Sequence, residues 1–417
     1  MYNYENIINV HLEVSSLCNA ECPICNRRLS GGPKNPVMIE RAITLEQFKK
    51  WFSVDFLKQL RQLLLCGNYG DPMTAPELIP ILRYFREINP YASISMNTNA
   101  GGRDKKFWED LSDVIGGFGR VVFSVDGLKD TNHLYRKGVN WDKVMSAMTA
   151  FTSTKKAQAV WEFLVFEHNQ HQIAEARQLS EQLGFSEFWP KKAMGFMNGD
   201  DGTPVIRTLN TDGSFAYNLY SPDDEWKNDA IKTPTIRFKN MQNELDKDNN
   251  NVMKLEDITK TFDYNRAPAK ESLKTIIASD SEGIEKLDNC EIVCEALQFD
   301  HMHYDEKHIW GQSIFVSSTG TVFPCCFTAS KYWGTASYET MQLRNFVESY
   351  GEETITLSDT RDIRDIIQSD IMQTGYVDSW NKNTIGEGKL YTCGTFCGKD
   401  VNTELKSTKE SMGIEYV

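Results

Sequence analysis

A chain of 417 residues, 40% of them hydrophobic and 25% charged, is long enough for two domains or one large domain with an appendage, and its balance excludes wholesale disorder and a fibrous fold. The formal net charge of −13 repels phosphate backbones, and no long Lys/Arg run offsets it, so nucleic acid is excluded as a partner. No apolar stretch approaches the roughly 20 residues that cross a bilayer, and the opening MYNYENIINV lacks a basic region followed by an apolar one, so no membrane association and a cytoplasmic location are expected.

From residue 1 to about 194, short apolar, β-branched runs alternate with longer amphipathic stretches, the pattern of βα units on a parallel sheet. Strands are expected at 8–14, 62–66, 93–97, 121–125, 159–166 and 185–190, and helices at 45–58, 76–88, 105–115, 141–151 and 170–183. Thr44 followed by Gln47 resembles a capping box, and Gly184 supplies a helix stop. Six such units with right-handed crossovers curl into a partial (β/α)6 TIM-like barrel, an α/β fold whose chemistry gathers at the carboxyl ends of its strands. Residues 195–288 break the pattern: GDDGT, SPDDEWKND and ELDKDNNN are polar, turn-rich and acidic. They read as a partly helical insertion or linker, set where it can cover the active face. Residues 289–417 form a smaller cysteine-rich domain in which SIFVSSTGTVF reads as a hairpin turning at Gly320.

The ten cysteines fall mostly in tight groups, which fits metal binding better than a disulfide framework. Directly after the first strand, CNAECPIC sets Cys18, Cys22 and Cys25 in one short loop. Three thiolates ligate three irons of a cubane and leave the fourth open to a ligand, as catalysis requires. A zinc knuckle is the alternative, but it normally takes a fourth Cys or His, and none lies in this loop.

CNAECPIC following a strand resembles the CxxxCxxC signature of the radical S-adenosylmethionine (radical SAM) superfamily. Three later segments, each at the end of an expected strand, are similar to further motifs of that family. CGNYGDP (66–72) resembles its Gly-Gly-Glu-Pro motif, with Gly70, Asp71 and Pro72 in the last three positions and Asp replacing the usual Glu. The resemblance implies that backbone carbonyls here receive the amino group of S-adenosylmethionine, and a glycine lets the backbone approach closely. SMNTNAGG (95–102) is similar to the Thr-Asn-Gly segment through Thr98 and Asn99. FSVDGLKDTNHLYRKG (123–138) resembles Ser-x-Asp-Gly followed by Tyr-Arg, which implies that Ser124 and Arg136 hold the cofactor carboxylate or ribose. The planar fork of donors on an arginine suits a carboxylate independently of the resemblance. Asn169 stands where many members carry an asparagine near the adenine. Glu167, His168, His171, Lys191 and Lys192 are candidates for substrate contact, and each reads equally well as a surface residue.

Six further cysteines lie towards the carboxyl terminus: Cys290, Cys294, Cys325, Cys326, Cys393 and Cys397. GTVFPCC together with the closing CGTFCG resembles the SPASM or Twitch appendage of radical enzymes, which holds one or two auxiliary iron–sulfur clusters. The seven-cysteine pattern for two clusters is not met. One auxiliary 4Fe-4S cluster is therefore expected on Cys294, Cys325, Cys393 and Cys397, with Cys290 and Cys326 as substitutes. A structural zinc on four of these thiolates is the alternative reading. His301, His303 and His308 read as part of a solvated loop, and the isolated Cys66 as a small buried apolar residue.

The resemblance implies a radical SAM enzyme in which a 4Fe-4S cluster cleaves S-adenosylmethionine to a 5′-deoxyadenosyl radical that abstracts a hydrogen atom. The expected partners are an electron donor such as flavodoxin or ferredoxin and a peptide or small-molecule substrate, with a peptide or protein side chain preferred. A radical dehydrogenase of a sugar or other small molecule and a non-catalytic iron–sulfur or zinc protein are the competing readings. A thiol nucleophile is disfavoured by the grouping of the cysteines.

Overall fold

In the computed structural model, which describes residues 1–193, 195–199, 202–223, 287–302, 308–334 and 337–399, strand β1 (Ile7–Leu12) is buried along its whole length, as befits a strand covered on both faces. Five more strands stand where the sequence predicts them: β2 (Gln62–Leu65), β3 (Ser93–Thr98), β4 (Gly119–Ser124), β5 (Gln158–Val165) and β6 (Glu187–Lys192). They pair in chain order, all parallel. The connecting helices are α1 (Leu45–Trp51), α2 (Val54–Gln59), α3 (Leu78–Ile88), α4 (Lys105–Ile115), the short α5 (Asn132–Tyr135), α6 (Trp141–Ser153) and α7 (Ile173–Leu183). The fold is α/β, as predicted.

The single helix expected at 45–58 is two. Thr44 and Gln47 do make the capping box, but Ser53 adopts an extended backbone and its side chain accepts from the Phe56 N–H, starting α2 afresh. Gly184 ends α7 in the left-handed region at φ 83°.

Strand alternation gives the sheet two unlike faces. Val10, Leu12, Leu65, Met96, Phe123 and Trp161 belong to the apolar core, where Phe123 meets Trp108 of α4 and Phe151 of α6. The opposite face carries buried Asn9, His11, Ser95, Ser124 and Glu162. On that face the Cys66 thiol, just past β2, lies within electrostatic reach of Glu162 on β5 and Lys191 on β6. A flat sheet with about 4.8 Å between strands would hold these groups too far apart. The sheet is therefore curled, a partial barrel with its polar face inward.

The described part of 195–288 is a small antiparallel sheet of β7 (Met197–Asn198), β8 (Pro204–Leu209) and β9 (Phe215–Tyr220), strands that its polar, turn-rich composition hid. Residues 224–286 of the expected insertion lie outside the described residues, as does His303. Lys137 Nζ donates to Leu209 O at 2.7 Å and Gly31 O at 2.8 Å, and Tyr217 Oη donates to Leu134 O at 2.7 Å. These bonds tie the small sheet to the cysteine loop and to α5.

The main sheet continues beyond β1. Strand β11 (His308–Val316) lies parallel against the free edge of β1, flanked by antiparallel β10 (Phe299–Met302) and β12 (Val322–Phe323). Gly320, at φ 89°, makes the predicted turn between β11 and β12. Beyond it come α8 (Cys326–Tyr332), α9 (Tyr338–Tyr350), α10 (Ile363–Ile367), α11 (Tyr376–Trp380) and α12 (Tyr391–Cys397). Among the described residues no helix is long and apolar enough to cross a membrane.

Candidate active site

The chain leaves β1 into the loop that carries Cys18, Cys22 and Cys25. Buried Arg27 pins this loop by donating to Ser16 O and Glu40. The Ala20 N–H and Asn99 Nδ2 donate to Cys18 Sγ at 3.3 and 3.5 Å, and Arg136 Nη1 stands 3.8 Å from Cys22 Sγ. Burial pushes all three thiols up, Cys22 to about 11. The neighbouring thiols add to the rise for Cys18 and Cys22, while Arg136 opposes it at Cys22. One buried and two half-buried thiols that would repel one another as thiolates are a poor arrangement for an empty loop and a good one for a cationic metal centre, which reverses the sign of each effect.

Gly70, Asp71 and Pro72 lie against this loop. A Cβ on Gly70 would stand 1.7 Å from Ser15 O, so only glycine allows that approach. Pro72 opens a buried 3-10 turn capped by Asp71. The Asp71 carboxylate accepts from Thr98 Oγ1 at 2.8 Å, from the Asn99 N–H at 2.7 Å and from the Met73 N–H at 3.1 Å. Burial raises its pKa while these bonds oppose the rise. Asp71, Thr98 and Asn99 thus form one unit that locks the loops after β2 and β3 together and, through Asn99, reaches Cys18.

Ser124 ends β4, buried. Arg136 is held at 2.5 Å by Asp126, whose side chain is wholly buried and whose pKa burial lifts to about 6 against the pull of Arg136. Asn169 is also wholly buried. Its Nδ2 donates to Asp126 O and Leu164 O, both at 2.9 Å, and its Oδ1 accepts from the Phe166 N–H at 2.7 Å. The carboxamide is spent on the backbone, so Asn169 braces the loop after β4. Glu167 and His171 are exposed. His168 stacks on Phe166 at 5.2 Å between centroids, and Lys191 pairs with Glu162. The Lys192 side chain lies outside the described set.

Two residues of this site were not singled out from sequence. Glu13 is buried, and its Oε1 accepts from the Tyr69 and Gly70 N–H groups at 2.7 and 3.1 Å, fixing the loop after β2. The period-two run Asn9, His11, Glu13 was the available signal. Asp126 stood inside the quoted FSVDG segment, but its grip on Arg136 depends on where α5 returns.

In the carboxyl-terminal part, α12 sets Cys393 and Cys397 one turn apart. Cys294 reaches them because Ile292 bridges Gly398 and the Val293 N–H donates to Cys397 O at 2.9 Å. The Cys294 thiol is hydrogen-bonded to Cys397 and within electrostatic reach of Cys325 and Cys393, so these four converge. Cys290 stands apart beside buried Lys389, whose Nζ donates to Cys290 O at 2.7 Å. Cys326, buried, lies within electrostatic reach of both Cys325 and Cys66. None of the ten cysteines is in a disulfide.

No protein-family model and no curated protein matches the sequence. Among solved structures, native anSMEcpe with bound AdoMet aligns at 17% identity over 98% of this chain and 96% of that one, with a TM-score of 0.48. Streptococcus suis SuiB bound to S-adenosylmethionine aligns at 14% identity over 78% of this chain, with a TM-score of 0.41. This chain spans only 61% of the length of that structure. SuiB bound to the precursor peptide SuiA aligns at 12% identity over 93% of this chain and 71% of that one, with a TM-score of 0.46. These likenesses assign no role to any residue.

The donor chemistry itself supports two cluster sites. A loop with three thiols and no fourth donor fits a cubane with one open iron, and a four-thiol group fits a closed one. Among the described residues no three His, Cys, Asp or Glu side chains close in as they would on one bare ion; thiolates on a cubane bind different irons and stand farther apart.

Proposed function

We propose that this chain is a radical SAM enzyme that modifies a peptide or protein side chain. The observation that carries the proposal is the set of three thiols at the carboxyl end of β1, of which Cys18 is bonded to Asn99 of the β3 loop and Cys22 to Arg136 beyond β4. When bound, a 4Fe-4S cluster on Cys18, Cys22 and Cys25 supplies the electron that splits S-adenosylmethionine into methionine and a 5′-deoxyadenosyl radical, which takes a hydrogen atom from the substrate. The residues of the chain do the rest. The backbone at Gly70 receives the cofactor amino group, and Arg136, aimed by Asp126, faces its carboxylate with Ser124 alongside. Asp71, Thr98 and Asn99 keep that cradle rigid, Pro72 fixes its entry and Asn169 braces its far side. The β7–β9 sheet shields the mouth from water.

Residues 1–194 are the catalytic barrel in this reading, 195–288 its cover, and 289–417 a SPASM or Twitch-like domain. The four converging thiols of that domain hold one auxiliary 4Fe-4S cluster. A flavodoxin or ferredoxin supplies the electron in a reducing cytoplasm. The preference for a peptide substrate rests on the resemblance of the cysteine-rich appendage.

Anaerobically reconstituted, dithionite-reduced protein incubated with S-adenosylmethionine is expected to form 5′-deoxyadenosine. Cys22→Ala is expected to abolish that product while keeping the charge-transfer absorbance of the auxiliary cluster. Unchanged turnover in Cys22→Ala, or zinc alone at the loop, would sink the proposal.

A further inference from the structure

Helix α11 buries two polar side-chain atoms, Tyr376 Oη and Trp380 Nε1, that have no hydrogen-bond partner among the described residues and do not reach solvent. Tyr376 is wholly buried and Trp380 nearly so. A hydroxyl or an indole N–H shut away from water without an acceptor is destabilising, and folded proteins leave few such groups. Packing alone does not account for them, because a phenylalanine ring offers apolar surface without a stranded donor.

The two donors stand beside the group of four thiols. Tyr376 and Trp380 lie one helical turn apart and so share a side of α11, with ring centroids 6.2 Å apart. On the same helix, Ser379 Oγ accepts from the Leu390 N–H and donates to Gly388 O, both at 3.0 Å. These bonds lay α11 against the start of α12, just ahead of Cys393. The Tyr376 phenol is there within electrostatic reach of Cys294, Cys325 and Cys393, and Phe346 of α9 packs on its ring at 5.1 Å between centroids. The Trp380 N–H is near enough to Cys393 to favour its thiolate, though not aligned with it as a hydrogen bond.

Thiolates and the sulfides of an iron–sulfur cluster accept hydrogen bonds, and such bonds help set its reduction potential. We infer that Tyr376 and Trp380 donate, through O–H and N–H respectively, to sulfur atoms of the auxiliary cluster and thereby raise its reduction potential. The direction follows from charge. A reduced cluster holds one more electron, its sulfurs accept more strongly, and donors stabilise the reduced form more than the oxidised one. The inference rests on the proposed auxiliary 4Fe-4S cluster: Cys294, Cys325, Cys393 and Cys397 hold its iron, and Tyr376 and Trp380 act only through its sulfurs.

The test compares the full, anaerobically reconstituted protein with its Tyr376→Phe and Trp380→Phe variants. Both changes keep an aromatic ring and remove the donor. Iron content is measured first. The reduced fraction of the auxiliary cluster is then read by electron paramagnetic resonance at the solution potential that half-reduces it in the wild type, its signal being the one that persists in Cys22→Ala. Each variant is expected to lower the reduced-to-oxidised ratio about threefold to tenfold, with iron content unchanged. In deuterium oxide, electron–nuclear double resonance of the reduced wild type is expected to show exchangeable proton couplings that each variant diminishes. A merely structural role would lower iron content and leave the ratio in the remaining cluster where it was. An unchanged or raised ratio in either variant overturns this inference and leaves the auxiliary cluster standing. If Trp380→Phe does not fold, Tyr376→Phe alone decides in the same way. Zinc in place of iron at the four thiols of the wild type overturns the auxiliary-cluster reading and this inference with it.

Discussion

Glu13 combines two opposed demands in one carboxyl group. It accepts from the backbone N–H groups of Tyr69, Gly70 and Ser318, which favours the anion, yet burial dominates and lifts its pKa from 4.5 to about 7. Because the folded protein holds this proton more tightly than the unfolded chain does, its contribution is complete below about pH 4.5 and is lost as the pH rises to about 7. The shift corresponds to roughly 3 kcal/mol. Glu13→Gln is expected to remove that share of the pH dependence, so wild-type and variant melting temperatures, compared at pH 4.5 and pH 7, should diverge. Parallel curves would refute it. The local sequence does not reveal Glu13's role: the residue is legible as the last polar position of an alternating strand, but its donors come from Tyr69 and Gly70 in the loop after β2 and from Ser318, all far along the chain.

At the scale of elements, Asp71 turns three separate loops into one cradle. Its carboxylate serves the loops after β2 and β3 together, and Asn99 passes that order on to Cys18. Asp71→Ala strands a buried hydroxyl and two buried N–H groups without acceptors. It is expected to cost about 3 kcal/mol in urea unfolding and to lower iron loading at the three-thiol loop. A loss below about 0.5 kcal/mol would mean that the loops hold one another without it. The strand and helix order was readable because hydrophobic period is a local property. The break of the first helix was not: Ser53 reads equally as a helix interior and as a cap, and only its extended backbone decides. The β7–β9 sheet escaped notice because short, half-buried strands in polar sequence carry no strong period.

For the whole molecule, the position of β11 matters most. By pairing along β1, the carboxyl-terminal part closes what would be an exposed, apolar edge of the strand that leads into the cysteine loop. Truncation after residue 223 is therefore expected to yield aggregated or partly folded barrel, visible as loss of a monodisperse peak and of near-ultraviolet circular dichroism. A stable, monodisperse truncated protein would show that the barrel stands alone.

The amino-acid sequence by itself determined the parallel βα order and the three-thiol loop, since periodicity and close spacing are properties of neighbouring residues. It also nominated the cysteines of the second group, but could not choose among them. Tertiary structure alone decided that Cys294 meets Cys397 within reach of Cys325 and Cys393. It also decided that Asn9 bonds Ser313, 304 residues away, and that Glu162 faces Lys191 across the inner wall. Such contacts depend on how strands far apart in the chain share register and curl, and no local pattern records that.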